Sequence, residues 1–117
     1  MQQSVRRLML STHDFYHLID INQILYCRSN NSYTTLFLTS NEEIKTSTSI
    51  KEMERQLINE NFIRPHQSYL VNIQFIKAVS KINACKLILK NGCFIPVSSR
   101  KKNKVLQLLE KSTRIQE

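Results

Sequence analysis

The stretch "RPHQSYLVN", residues 64 to 72, places five side chains able to hydrogen-bond or carry charge (Arg64, His66, Gln67, Ser68 and Asn72) around the apolar run Tyr69-Leu70-Val71. Three chemistries could use such a set: nucleophilic catalysis, metal ligation, or the reading of a nucleic acid. A hydrolase needs a nucleophile, a base and an orienting acid. His66 and Ser68 share a face of an extended segment, but no Gly-rich nucleophile turn surrounds Ser68 or any cysteine. Acidic residues are nearly absent from this half of the chain. No catalytic residue is assigned. A lone His beside Ser and Tyr is as readily a hydrogen-bonded structural residue as a functional one.

Metal ligation fares no better. His13 and His17 lie four apart, which would align them on a helix, but the surrounding alternation reads as strand or turn. No Cys/His pair elsewhere has ligand spacing, and neither metal nor cofactor is expected. The three cysteines form no closed disulfide framework and no CxxC pair. Cys85 and Cys93 flank Asn91-Gly92, a two-residue hairpin signal. That turn would pair Lys90 with Cys93 and Leu89 with Phe94, setting the two thiols on opposite faces.

Charge is more telling. Residues 1 to 60 carry a net charge of −1 and residues 61 to 117 a net of +9. One-sided positive charge suits a polyanionic partner. The cluster Arg100-Lys101-Lys102 would open the last helix if Ser98 or Ser99 caps it. Cations there oppose the helix dipole, each at a cost of about 0.3–1 kcal/mol, whereas the free N–H groups of a helix N-terminus suit phosphate. Asn30-Asn31, His66-Gln67 and Ser99-Arg100 combine phosphate-binding with base-reading residue types. Composition alone leaves DNA, RNA and an acidic protein open.

These residues need elements to hold them. At 117 residues, with one glycine and two prolines, the chain reads as a single domain without internal linkers, residues 1–4 and 113–117 being flexible ends. It has neither a membrane-length apolar run nor a signal peptide, so a soluble, cytoplasmic protein is expected. Short strands are read in VRRLMLST, FYHLIDI, QILYCRS, YTTLFLTS, EEIKTS, FIKAVSKI, CKLILK and CFIPV. In YTTLFLTS, Leu36 and Leu38 share one face, and Tyr33, Thr35 and Phe37 the other. Pro96 puts the last strand at an edge or at its end. Ser49-Ile50-Lys51-Glu52 fits a capping box opening a helix that buries Ile50, Met53, Leu57 and Ile58. The tail SSRKKNKVLQLLEK reads as a second helix burying Val105, Leu108 and Leu109. Seven to ten strands and two helices make a mainly β fold.

The segment "NFIRPHQSYLVN" resembles the signature of the LytTR DNA-binding domain, an output module of bacterial response regulators in two-component systems. The matching residues are Phe62, Arg64, His66, Ser68, Tyr69, Leu70-Val71 and Asn72. "INQILYCRSNNSYTTLFL" resembles the family's hairpin, through Ile24, Tyr26 and Tyr33. "SIKEMERQL" resembles its internal helix, and "IPVSSRKKNKV" its closing strand and basic helix start. The resemblance runs over roughly residues 5 to 110. It implies an elongated stack of small antiparallel sheets with one internal and one C-terminal helix. It also implies a sequence-specific transcription regulator whose loops enter successive major grooves of double-stranded DNA.

Carried over by position, the DNA-facing residues are the 29–33 turn with Asn30, Asn31 and Tyr33, then His66 and Gln67, then Arg100. Arg64, Lys101, Lys102 and Lys104 are added from charge, as phosphate contacts. Tyr69, Leu70 and Val71 are expected to anchor the loop, with Ser68 and Asn72 tying its backbone. Gln67 stands where the family commonly has a longer basic residue, and Pro65 where it has an apolar one. Glutamine pairs with adenine rather than guanine. The family further implies a dimer on repeated half-sites and an N-terminal receiver domain, for which this chain has no room. It is then either a piece of a longer regulator or a free-standing domain. The competing reading is a basic β-rich module that binds RNA or an acidic protein.

Overall fold

The computed structural model describes residues 6–113, so the expected ends at 1–4 and 114–117 lie outside the described residues. Thr113 is described, and its hydroxyl donates to the Leu109 carbonyl at 2.8 Å. Ten strands form three antiparallel sheets. β1 (Arg7–Ser11) and β2 (Tyr16–Asp20) make a ribbon. β3 (Ile24–Asn30), β4 (Tyr33–Leu38), β5 (Glu43–Thr46), β6 (Phe62–His66) and β7 (Tyr69–Asn72) make a central sheet ordered β5-β4-β3-β7-β6. β8 (Ile76–Ser80), β9 (Lys86–Leu89) and β10 (Phe94–Pro96) make a third, with β10 at its edge as Pro96 requires. Two helices complete the chain, α1 (Ile50–Leu57) and α2 (Lys102–Lys111).

The central sheet is buried on both faces, which explains why its strands lack simple alternation. One face packs Ile24, Cys27, Leu36, Leu38 and Leu70 against Leu8, Leu10 and Ile19 of the ribbon and Met53 and Leu57 of α1. The other packs Tyr26, Ile63 and Val71 against Leu87, Leu89 and Ile95 of the third sheet and Val105 of α2. The apolar pairs Phe62-Ile63 and Leu70-Val71 each send one residue into either core, as the two-residue period of a strand dictates. A register shift between Ile24 and Tyr26 gives β3 its run of four buried residues. With a single glycine in the chain, left-handed corners fall to asparagine: Asn31, Asn41, Asn61 and Asn83 all have positive φ.

Several local expectations change. The β9–β10 turn has three residues, Lys90-Asn91-Gly92: the Leu89 amide donates to Cys93 and Phe94 lies opposite Ile88. Gly92 takes the left-handed position at φ +92°, and Asn91 Oδ1 accepts from the Cys93 amide. This one-residue difference reverses every side chain of the strand. Cys85 and Cys93 therefore share the face turned to the second core. They still cannot bond, being four strand residues, or about 13 Å, apart along the hairpin.

The capping box is half formed. Ser49 Oγ accepts from the Glu52 amide at 3.1 Å, but the Glu52 carboxylate turns outward to Arg55 and Gln56. Ile58 ends α1 and is 58% exposed rather than buried. Ahead of α2, Ser99–Lys101 form a 3-10 turn, and neither Ser98 nor Lys101 supplies a side-chain cap. Val105 is buried as expected, while Leu108 and Leu109 are only half-buried.

Candidate nucleic-acid interface

Register places three separated segments along one edge of the molecule. The β3–β4 hairpin turns at Asn31-Ser32, with Asn30 opposite Tyr33. The β6–β7 hairpin turns at Gln67-Ser68, with His66 opposite Tyr69. Because Arg28 lies opposite Tyr69, both turns emerge from the same end of the central sheet. The Ser29 amide donates to the Ser68 carbonyl at 2.9 Å and joins the two turns. On the far side, the Ser98 amide donates to the Pro65 carbonyl, also at 2.9 Å. That bond sets the turn before α2 beside β6.

The exposed members of this edge are Asn30, Asn31, Tyr33, Gln67 and Arg100, followed by Lys102 and Lys104 on the first turn of α2. Tyr33 is 54% exposed. His66, Gln67, Arg100 and Lys101 line a cleft of about 210 Å³ together with Arg64 and Ser98. The structure thus gathers His66, Gln67, Arg100 and Lys101 into one place. Asn30, Asn31 and Tyr33 stand apart from the cleft, on the neighbouring hairpin.

Arg64 has a different position from that of a free phosphate contact. Its side chain is 16% exposed, and Nη1 donates to Glu54 Oε1 at 2.6 Å. Nη2 donates to the Gln67 carbonyl at 2.6 Å. Its guanidinium thereby links α1 to the turn that carries Gln67. The Lys101 ammonium donates to the Arg64 carbonyl at 3.2 Å. Burial first, then the Arg64 charge, pushes the Lys101 amine below its ordinary range; Lys104 and Arg100 add to this and Glu54 opposes it.

The polar residues of the loop also exchange the expected tasks. His66 Nδ1 accepts from the Ser68 amide at 3.1 Å, so the imidazole itself closes the turn. Its ring sits edge-on to Tyr69, centroids 5.7 Å apart. With Nδ1 as acceptor, a neutral ring keeps Nε2–H as its donor. Asn72 is buried. It staples β3 through Nδ2 to the Ile24 carbonyl at 2.9 Å, and Oδ1 accepts from the Gln74 amide. Pro65 is fully buried at a register shift between Ile63 and His66, where its missing N–H breaks no ladder bond.

One cation went unread in the sequence. Arg28 is half-buried on β3, opposite Tyr69, with its guanidinium 5.1 Å from the centre of the Phe37 ring. Phe37 in turn stacks on Tyr26 at 4.4 Å. The only signal was a lone Arg at the end of an otherwise apolar strand.

The fold that carries this edge has known counterparts. Residues 14–110 match the model of the LytTr DNA-binding domain. The chain belongs to the LytTR family. A sensory transduction protein LytT of Oceanobacillus iheyensis is 35% identical over 98 residues, covering 80% of this chain and 40% of that protein. LytT of Bacillus subtilis is 28% identical over 105 residues, covering 88% of this chain and 43% of its own length. The chain therefore spans about two fifths of these LytT relatives. A solved LytTr DNA-binding domain of a putative methyl-accepting/DNA response regulator from Bacillus cereus superposes with a TM-score of 0.77 at 25% identity, covering 92% of this chain and 98% of that one. The LytTR fold and DNA-binding class follow for this chain. No helix among its described residues is long and apolar enough to cross a membrane.

Proposed function

We propose that this LytTR domain reads duplex DNA through three contacts in line: the 30–33 turn, the 66–67 turn and the basic start of α2. The observation that carries this reading is the pair of backbone bonds, Ser29 to Ser68 and Ser98 to Pro65, that joins these segments on one edge. Gln67 and Arg100 offer paired or forked hydrogen bonds to base edges. Asn30, Asn31 and Tyr33 serve the neighbouring groove. Lys101, Lys102 and Lys104 supply phosphate contacts, aided by the N–H groups at the start of α2. His66 holds the turn and can offer Nε2–H. Arg64 positions Gln67 instead of touching phosphate, and Arg28 adds a cation between the two turns.

The description of the solved relative as part of a putative response regulator supports a wider setting, to which the family resemblance adds the receiver, the dimer and the half-sites. In it the chain is a single cytoplasmic domain of a bacterial two-component regulator, joined to an N-terminal receiver and dimeric on repeated half-sites. Its work is recognition without catalysis.

The test is selection of bound duplexes from a random library at near-physiological salt with excess competitor. A short motif repeated about one helical turn apart is the expected product. Affinity should fall with salt at a log–log slope of about −0.9 per phosphate contact. Single-stranded RNA competing as well as duplex would favour the alternative reading instead.

A further inference from the structure

A second concavity lies behind the DNA-facing edge, between the end of α1, strand β6 and the face of α2. It encloses about 490 Å³, within the ~300–1,000 Å³ range of small-molecule sites. Its walls are apolar where Ile58, Phe62, Val105 and Leu108 meet. Its charged lining is one-sided: Arg64, Lys101, Lys104 and Lys111 against Glu54. Glu54 is already held by Arg64 at 2.6 Å. Among the described residues the three ammonium groups have no carboxylate partner. Arg64 Nε is buried with no hydrogen-bond partner. Ile58, an isoleucine exposed on an otherwise satisfied helix, faces into this space.

We propose that this groove is a binding site for a small amphipathic carboxylate, its apolar body against Ile58, Val105 and Leu108 and its anionic head among Lys101, Lys104 and Lys111. A neutral apolar ligand would leave the three cations unanswered. A bare phosphate would face an apolar floor that cannot hydrogen-bond it. The site differs in place and ligand from the DNA-facing edge but shares Lys104 with it, and two further residues with its small cleft. Arg64 and Lys101 line both concavities, and Arg64 holds the Gln67 carbonyl. A carboxylate drawing on either cation therefore bears directly on the turn that carries Gln67. This link to DNA reading rests on the function proposed above; occupancy of the groove does not.

The experiment needs no DNA. The 15N-labelled chain is titrated with octanoate and, separately, with 1-octanol, following backbone amide shifts. Octanoate is expected to shift Ile58, Val105 and Leu108 saturably, with the Gln67 amide moving in step. Its midpoint should lie at least tenfold below that of 1-octanol. Ile58→Glu, at an exposed position that leaves the core intact, should abolish the response. The Lys104→Gln, Lys111→Gln pair should raise the octanoate midpoint several-fold. Equal midpoints for acid and alcohol, or binding that survives Ile58→Glu, would overturn the site. So would shifts gathered instead on exposed Met9 and Leu18 of the ribbon. Groove shifts with Gln67 unmoved would overturn its link to the loop.

Discussion

Arg64 donates to the backbone carbonyl of Gln67 at 2.6 Å, and from the same guanidinium to Glu54 at 2.6 Å. The residue proposed to read bases is thus held at its own backbone by a cation whose charge is already balanced. This arrangement separates two roles that basic residues play in DNA recognition. A phosphate contact contributes to the salt slope; a positioning cation does not. Arg64→Ala is expected to weaken specific DNA binding while leaving the slope within error of the parent's. A slope shallower by about 0.9 would return Arg64 to the phosphate contacts. The same change should destabilise the fold by about 2 kcal/mol, since it strands a partly buried Glu54 carboxylate. Urea denaturation measures that loss, and Glu54→Gln on the Arg64→Ala background should recover part of it.

Gln67 and Arg100 both line the small cleft, whereas Lys102 stands exposed on α2. Gln67→Ala and Arg100→Ala should each cost about 1–3 kcal/mol of specific binding and relax the preferred sequence at separate positions. Lys102→Ala should weaken all sequences alike and shallow the salt slope. Repeating the duplex selection with each variant checks this. An unchanged motif for Gln67→Ala would remove that side chain from base reading.

Leu70 and Val71 are adjacent, fully buried, and inserted in opposite cores. Leu70→Ala should cost about 2–5 kcal/mol from lost burial and the cavity left behind. Val71→Ala removes less volume and should cost less. Both lie just after the Gln67 turn, so thermal denaturation must accompany any DNA measurement on these variants. A loss below 1 kcal/mol at Leu70 would mean that the central sheet is not the rigid support described.

What the sequence disclosed follows the range of the interactions involved. Ser49 capping Glu52, the helical spacing of Ile50, Met53 and Leu57, and the edge position forced by Pro96 are local, and each was readable. The Asn91-Gly92 turn was read one residue short, because Gly at positive φ serves a two- or a three-residue loop equally well. The opposite face for Cys93 followed from that slip alone. Ile58 continued the helical stripe on paper but falls where α1 ends. Arg64 looked like a free cation because Glu54, its partner, lies on another element. The joining of the 30–33, 66–67 and 98–101 segments depends on β3 pairing with β7 and on the Ser98–Pro65 bond, which no local pattern encodes. For the order of those segments, the family resemblance supplied what periodicity could not.

Glu52 offers a pH test of α1. Side-chain hydrogen bonds from Arg55 and then Gln56 hold its carboxyl down at about 2, against an ordinary value of 4.5. A depressed carboxyl favours the folded state above its unfolded value, and the contribution is lost as pH falls from about 4.5 through about 2. Carboxyl-resolved NMR titration should show Glu52 titrating at about 2 instead of 4.5. Glu52→Gln should remove that step and leave DNA binding unchanged, since the Glu52 carboxylate bonds to Arg55 and Gln56 of its own helix and lies outside the segments proposed to contact DNA.

Cysteine reactivity tests the two-sided packing of the central sheet directly. Cys27 is fully buried, and burial pushes its thiol up to about 12, while Cys85 and Cys93 are half-buried at the margin of the second core. Thiolate, not thiol, is the nucleophile. Iodoacetamide at pH 8 should therefore modify Cys85 and Cys93 in the folded chain and reach Cys27 only on unfolding. Peptide mass mapping across a urea series gives the order. Native-state modification of Cys27 at a rate comparable to Cys85 would mean that β3 opens locally. The edge that carries the 30–33 and 66–67 turns would then lack the rigid backing that its proposed DNA contacts require.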